Sequence, residues 1–414
     1  MASETKVSAD EKLQLGGEAT RFSNIALGVG AVSLVAGVAI GLGDKEGLLR
    51  SYLTAFMYVL SITLGLFWFV AINNLVNAKW WIVVRRVAEI LASQMPVIAL
   101  LSLGIILPIA LVDTAGEGAI QSLYAWLSDA QVHASHLLHH KSAYLNKPFF
   151  LIRVVAYFAF WAGVSLWYLN RSLAQDKASK AESELIAQQM GRVSAPVMIG
   201  FGLTLTFCAF DLLMSLDYTW FSTIFGVYYF AGSVLSAYAT MVLTLLLLQR
   251  AGALKSYVNE NHYHDLGKTM FAFTVFWAYI GFSQFMLIWY ADIPEETHWY
   301  QWRLRGGWEL ISYGLIVLHF AIPFFGLLSR NVKRNRKWLG FWAAWLLIMH
   351  YVDIYWLVFP KDNEGTVPFG VVDVLVVVGL VGLLAGVAAR RAKGMQLVPV
   401  KDARLPQSIA FENY

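Results

Sequence analysis

Apolar residues in this chain fall into ten long runs, at 22–43, 51–75, 83–111, 149–169, 194–216, 220–248, 269–289, 308–328, 338–359 and 370–389. A helix needs about 20 apolar residues to cross a hydrocarbon core. The pattern therefore predicts an all-α polytopic membrane protein with ten transmembrane helices. On this reading 1–21 is an N-terminal tail, 22–390 a ten-helix membrane domain and 391–414 a C-terminal tail. Asp217, Tyr218 and Thr219 make a tight turn between spans five and six. The polar segment 170–194, rich in Ala, Gln, Lys and Glu, favours helix continuing beyond the membrane. Two longer segments, 112–148 and 290–307, are aromatic and polar, which suits docking surfaces better than linkers.

Charge placement orients the chain. Lys and Arg concentrate in the segments that share a side with both termini, as at Lys79, Arg85, Arg86, Arg171, Arg192, Arg330, Lys333, Arg390 and Arg391. By the positive-inside rule both N and C termini are expected in the cytoplasm. The chain is 58% hydrophobic and 14% charged, against about 25% charged residues in soluble domains. Its single cysteine, Cys208, builds neither a disulfide nor a cysteine-ligated cluster alone. No Walker A loop, dinucleotide fingerprint or HExxH motif is present, so ATP-driven and protease chemistry find no support.

Candidate chemistry comes from ionisable residues inside the apolar runs, since a charge at the bilayer centre costs about 2.5–3.5 kcal/mol or more. Arg153, Asp211, Glu309, Asp353 and Asp373 fall in the outer half of the membrane and Asp217 at its rim, so the acids are expected to share a wet crevice. Arg153 is expected to pair with one of them. His319 and His350 reach mid-membrane. They could relay protons with Asp353, ligate a haem or simply pack in the core, and His350 and Asp353 share a helix face. Glu89 lies near the inner side, four residues after Arg85; a local ion pair is the simple reading and an inner proton path the functional one. His133, His136, His139 and His140 have spacing compatible with zinc, but an interfacial helix fits them better. Asp211 and Asp353 each precede an outer helix end by six residues, a faint sign of two repeated four-helix units.

Two strings carry a more specific signal: Phe210-Asp211-Leu212-Leu213-Met214-Ser215-Leu216-Asp217 with Trp220 to Tyr228, and Phe282-Ser283-Gln284-Phe285 running to Thr297. With Lys141, Tyr144-Leu145-Asn146 and Phe149-Phe150 before Arg153, they make residues 22–390 resemble the NrfD/PsrC-like membrane subunits of bacterial alternative complex III, a quinol:electron-acceptor oxidoreductase. The length suits the shorter of its two such subunits. The resemblance implies two four-helix bundles plus two flanking helices in the bacterial inner membrane, and no redox centre in this chain. It also implies assembly with a larger NrfD-like sibling, an iron–sulfur subunit and multihaem cytochrome c subunits, which would hold the haem and iron–sulfur clusters. Membrane lipids are further partners and nucleic acid is not. Quinone is a possible ligand, and Gln284 joins the acids and histidines as a candidate for the proton path or quinone-adjacent site. Two alternatives stand beside this reading: a scaffold whose buried charges only fix packing, and an ion-coupled secondary transporter, for which Pro96, Pro108 and Pro323 leave room.

Overall fold

A computed structural model describes residues 12–360 and 367–413; residues 1–11 of the expected N-terminal tail lie outside them. Among the described residues ten helices are long and apolar enough to cross a membrane: α1 Gly17–Gly41, α2 Lys45–Leu75, α3 Ile82–Leu111, α4 Lys147–Gln175, α5 Lys180–Leu216, α6 Phe225–Arg250, α7 Glu260–Ala291, α8 Trp308–Leu328, α9 Arg336–Val358 and α10 Val371–Ala392. The described residues contain no β-strand. The extension foreseen at 170–194 divides between α4 and α5. Ser179 starts the second, accepting from the Glu182 N–H while the Glu182 side chain reaches back to the Ser179 N–H, which satisfies two orphan donors at once.

Helices α2 to α5 pack as one group and α6 to α9 as another, joined chiefly through α2 and α6, and the α1–α10 pair lies against α2 and α3. With no hydrophobic drive between helices in lipid, close packing holds such a pair. A methyl group added at Gly30 would come within 2.7 Å of the Leu383 backbone nitrogen, so this crossing depends on small residues. The surface left over is apolar, as at Leu111, Ile199 and Leu310.

Two spans are irregular. Helix α3 breaks into Ile82–Ala92, Met95–Leu101 and Leu103–Leu111, with Pro96 and Pro108, because proline removes a backbone donor and crowds the preceding turn. Helix α8 carries a π-helical segment, Leu315–Ala321, centred near His319; such segments often accompany functional sites.

The described residues of the two tails are bonded to each other and to the helices. The Leu397 N–H donates to Leu13 O at 2.9 Å and the Gly394 N–H to Leu15 O at 3.1 Å. The C-terminal segment then passes beneath α3, where Ser408 Oγ donates to Trp80 O at 2.7 Å. Asp402 is buried there and accepts from Arg85 at 2.8 Å and from Arg404. Burial alone would raise the Asp402 carboxyl, but Arg404 and Arg85 together outweigh it and hold it below the usual range.

Candidate functional site

The buried acids do not meet in one crevice, contrary to the sequence expectation. No described hydrogen bond or ion pair joins any two of Asp211, Asp217, Glu309, Asp353 and Asp373. The reason is local: most of them lie near helix ends or beside a cation, where donors are at hand. Asp373 caps α10, accepting from the Gly370 N–H at 2.8 Å and from Ser51 Oγ at 2.7 Å. Glu309 accepts from the Gly307 N–H at 2.7 Å at the start of α8 and is only half-buried. Asp217 accepts from Thr219 and contacts His298 Nε2 at 3.0 Å.

Asp211 is fully committed. Arg153 grips it through two nitrogens, at 2.9 and 2.7 Å, and Tyr157 donates to it at 2.9 Å. The guanidinium also lies 3.8 Å from the centre of the Tyr144 ring. A planar guanidinium matched to a carboxylate is a strong lock, and here it ties α4 to α5. Glu89 likewise takes Arg85, at 2.7 Å, inside a buried network with Gln175 and Asp402.

Asp353 is different. It is 1% exposed and lies five residues before the end of α9, about 8 Å along the axis. Its carboxylate accepts from the Tyr228 hydroxyl and from the Trp277 indole N–H at 3.1 Å. No lysine or arginine of the described residues reaches it. His350, one turn earlier, holds Nδ1 4.0 Å from the carboxylate, and its Nε2 meets Ser61 Oγ of α2 at 2.7 Å. Gly232 of α6 makes room for that ring, since a methyl group there would come within 2.7 Å of His350 Cε1. His319 is completely buried, and its ring centre lies 4.1 Å from that of Trp277. Neither nitrogen of His319, nor Nδ1 of His350, finds a hydrogen-bond partner among the described residues. Buried polar atoms are nearly always paired, and these three nitrogens set the surroundings of Asp353 apart from those of Asp211 and Glu89.

From this centre the wall continues outward. Tyr228 and Trp277 also line a cavity of about 400 Å³ between α7 and α8. Gln284 lies on it, accepting from Ser222 at 2.9 Å and donating to the Tyr300 hydroxyl at 3.1 Å. Arg303, from the short helix Pro294–Arg303, closes it. Among the described residues this guanidinium donates to the carbonyls of Trp299, Trp356 and Leu357, at 2.9 to 3.2 Å, and its charge centre sits 3.3 Å over the Trp299 ring. Burial lowers Arg303 to about 9. Asp217, whose charge acts on it, is already engaged by His298.

The structure thus brings together Asp353, His350 and His319, with Gln284 on the adjoining cavity, and separates them from Asp211, Asp217, Glu309, Asp373 and Glu89. Tyr228, Trp277, Ser61 and Arg303 belong to the site and escape the sequence reading. Tyr228 ends one of the two strings on which the resemblance was drawn, whereas Trp277 looks like any core aromatic. The four loop histidines lie exposed on two short helices, Asp129–Ala134 and His136–Lys141, with Leu138 turned inward, and no metal-holding group of three ligands forms among the described residues. No family model matches the chain, and no curated protein matches it.

Proposed function

We propose that this chain is a membrane subunit of a quinol-oxidising respiratory complex in the bacterial cytoplasmic membrane, and that the Asp353 centre handles its protons. The supporting observation is a carboxylate sealed in an apolar bundle which, among the described residues, meets neutral donors and no lysine or arginine, beside two histidines with ring nitrogens that find no partner there. A carboxylate locked to arginine, such as Asp211, holds its charge; one met by neutral donors can gain or lose a proton without leaving a partner charge stranded. The resemblance to NrfD/PsrC-like subunits supplies the wider setting. Oxidising a quinol to the quinone removes two electrons and two protons. The electrons pass to an iron–sulfur partner and the protons need acceptors in the membrane. With the basic end of the molecule in the cytoplasm, Asp353 stands in the outer half.

A second reading, a scaffold without a proton role, draws on the Arg153–Asp211 lock and the Arg85–Glu89–Asp402 network, both of which serve packing. Asp353→Asn in the assembled complex separates the two. The proton-handling reading expects quinol turnover per assembled complex to fall about a hundredfold or more, the usual scale for a lost proton-transfer group, with subunit content unchanged. Normal turnover and proton release, or loss of assembly with full activity in what remains, would favour the scaffold.

A further inference from the structure

We propose that His136 and His140, on the segment joining α3 to α4, form a two-imidazole chelate for a divalent transition metal ion, zinc foremost. The site is independent of the Asp353 centre. The two residues lie four apart on the short helix His136–Lys141, so their side chains rise from one face. Paired histidines at this spacing on a helix grip one zinc ion in the HExxH arrangement. Zinc sits about 2.0–2.1 Å from an imidazole nitrogen, which puts each ring centre about 3.2 Å from the metal and two such centres, at the tetrahedral angle, about 5.2 Å apart. The rings of His136 and His140 have their centres 5.4 Å apart, edge to face at 75°. The right angle of a tetragonal copper(II) site would bring them to about 4.5 Å, a poorer match.

The surroundings hold the pair in place and leave its nitrogens available. Leu138 is completely buried and anchors the helix, and Ser135 caps its start, accepting from the Leu138 N–H at 3.3 Å. Lys141, next to His140, commits its ammonium to Tyr218 O at 2.7 Å. His133 turns Nδ1 to Asp129 O at 2.6 Å, and the Asp129 carboxylate accepts from Thr114 Oγ1 at 2.8 Å. His136 and His140 are both exposed, and among the described residues no hydrogen bond engages either ring. His139 makes no ring contact with either of them there. No third protein ligand joins the pair among the described residues, so water completes the coordination, as at the open position of catalytic zinc sites.

Calorimetric titration with zinc tests this on the full chain in detergent, prepared without a polyhistidine tag. One ion per chain is expected. Losing a ligand costs at least as much as losing the group that orients one, about tenfold to a hundredfold, so His136→Ala and His140→Ala should each weaken binding by that factor or more. Both side chains are exposed, so neither change disturbs the packing. His133→Ala and His139→Ala should bind zinc as the unmodified chain does. X-ray absorption at the zinc edge should show two imidazoles and oxygen neighbours around the bound ion. Absence of zinc binding, undiminished binding in His136→Ala or His140→Ala, or equal weakening in all four variants would overturn the chelate, the last by making the segment a diffuse histidine patch. An absorption spectrum with a single imidazole would overturn it as well.

Discussion

Trp277 donates its indole N–H to Asp353 at 3.1 Å while its ring centre lies 4.1 Å from that of His319 in a tilted contact. One side chain thus touches the buried acid of α9 and the π-helical segment of α8. If the acid changes protonation, Trp277 is the group best placed to register it. Trp277→Phe keeps the ring and deletes the donor, and the expected outcome is slower turnover in an assembled complex, with a changed pH profile. An unaltered profile would place Trp277 in packing alone.

The Arg153–Asp211 lock predicts the opposite behaviour. Arg153→Ala strands a buried carboxylate, at a cost of about 3–5 kcal/mol, so the melting temperature of the purified protein in detergent should drop sharply. Activity per correctly assembled complex should stay near normal. Loss of activity in a fully stable Asp211→Asn variant would assign Asp211 a chemical role that its saturated partners argue against.

Gly232 offers a steric test of the same centre. Gly232→Ala pushes against His350 Cε1, and overpacking a tight core costs about 1–3 kcal/mol. The ring must move, which disturbs its 2.7 Å contact with Ser61, so Gly232→Ala should copy the turnover defect of His350→Ala. A variant with normal activity would show that the position of His350 is unimportant.

At the end carrying the termini, Asp402 gives a pH prediction. Its carboxyl is held low in the folded protein by Arg404 and Arg85 against the opposing effect of burial. A depressed acid contributes stability above its unfolded value, about 3.9, and that contribution is lost as pH falls through the folded value. Melting temperatures should therefore diverge between the unmodified protein and Asp402→Asn at neutral pH and converge in acid below about pH 4. A constant gap would contradict the assignment.

The ten helices were legible because hydrocarbon imposes a length and a polarity on every span. Arg85–Glu89 and Arg153 with a carboxylate were legible too, the first from spacing and the second from the cost of a lone buried charge. The grouping of the acids was not. Asp211 and Asp353 look alike in sequence, each six residues from an expected helix end, yet among the described residues one meets Arg153 and the other has Tyr228 and Trp277 as its donors. That difference depends on which faces of α4 to α9 turn inward, and the near-uniform apolarity of these spans hides their faces. The C-terminal segment reads as a polar tail for a similar reason: nothing local tells that Asp402 will sit between Arg85 and Arg404.

Redox-induced infrared difference spectroscopy on the assembled complex tests the central claim most directly, because a protonated carboxyl has its own C=O stretch. The account predicts a carboxyl band that changes when quinol is oxidised, disappears in Asp353→Asn and survives in Asp211→Asn. A difference spectrum untouched by Asp353→Asn would contradict it.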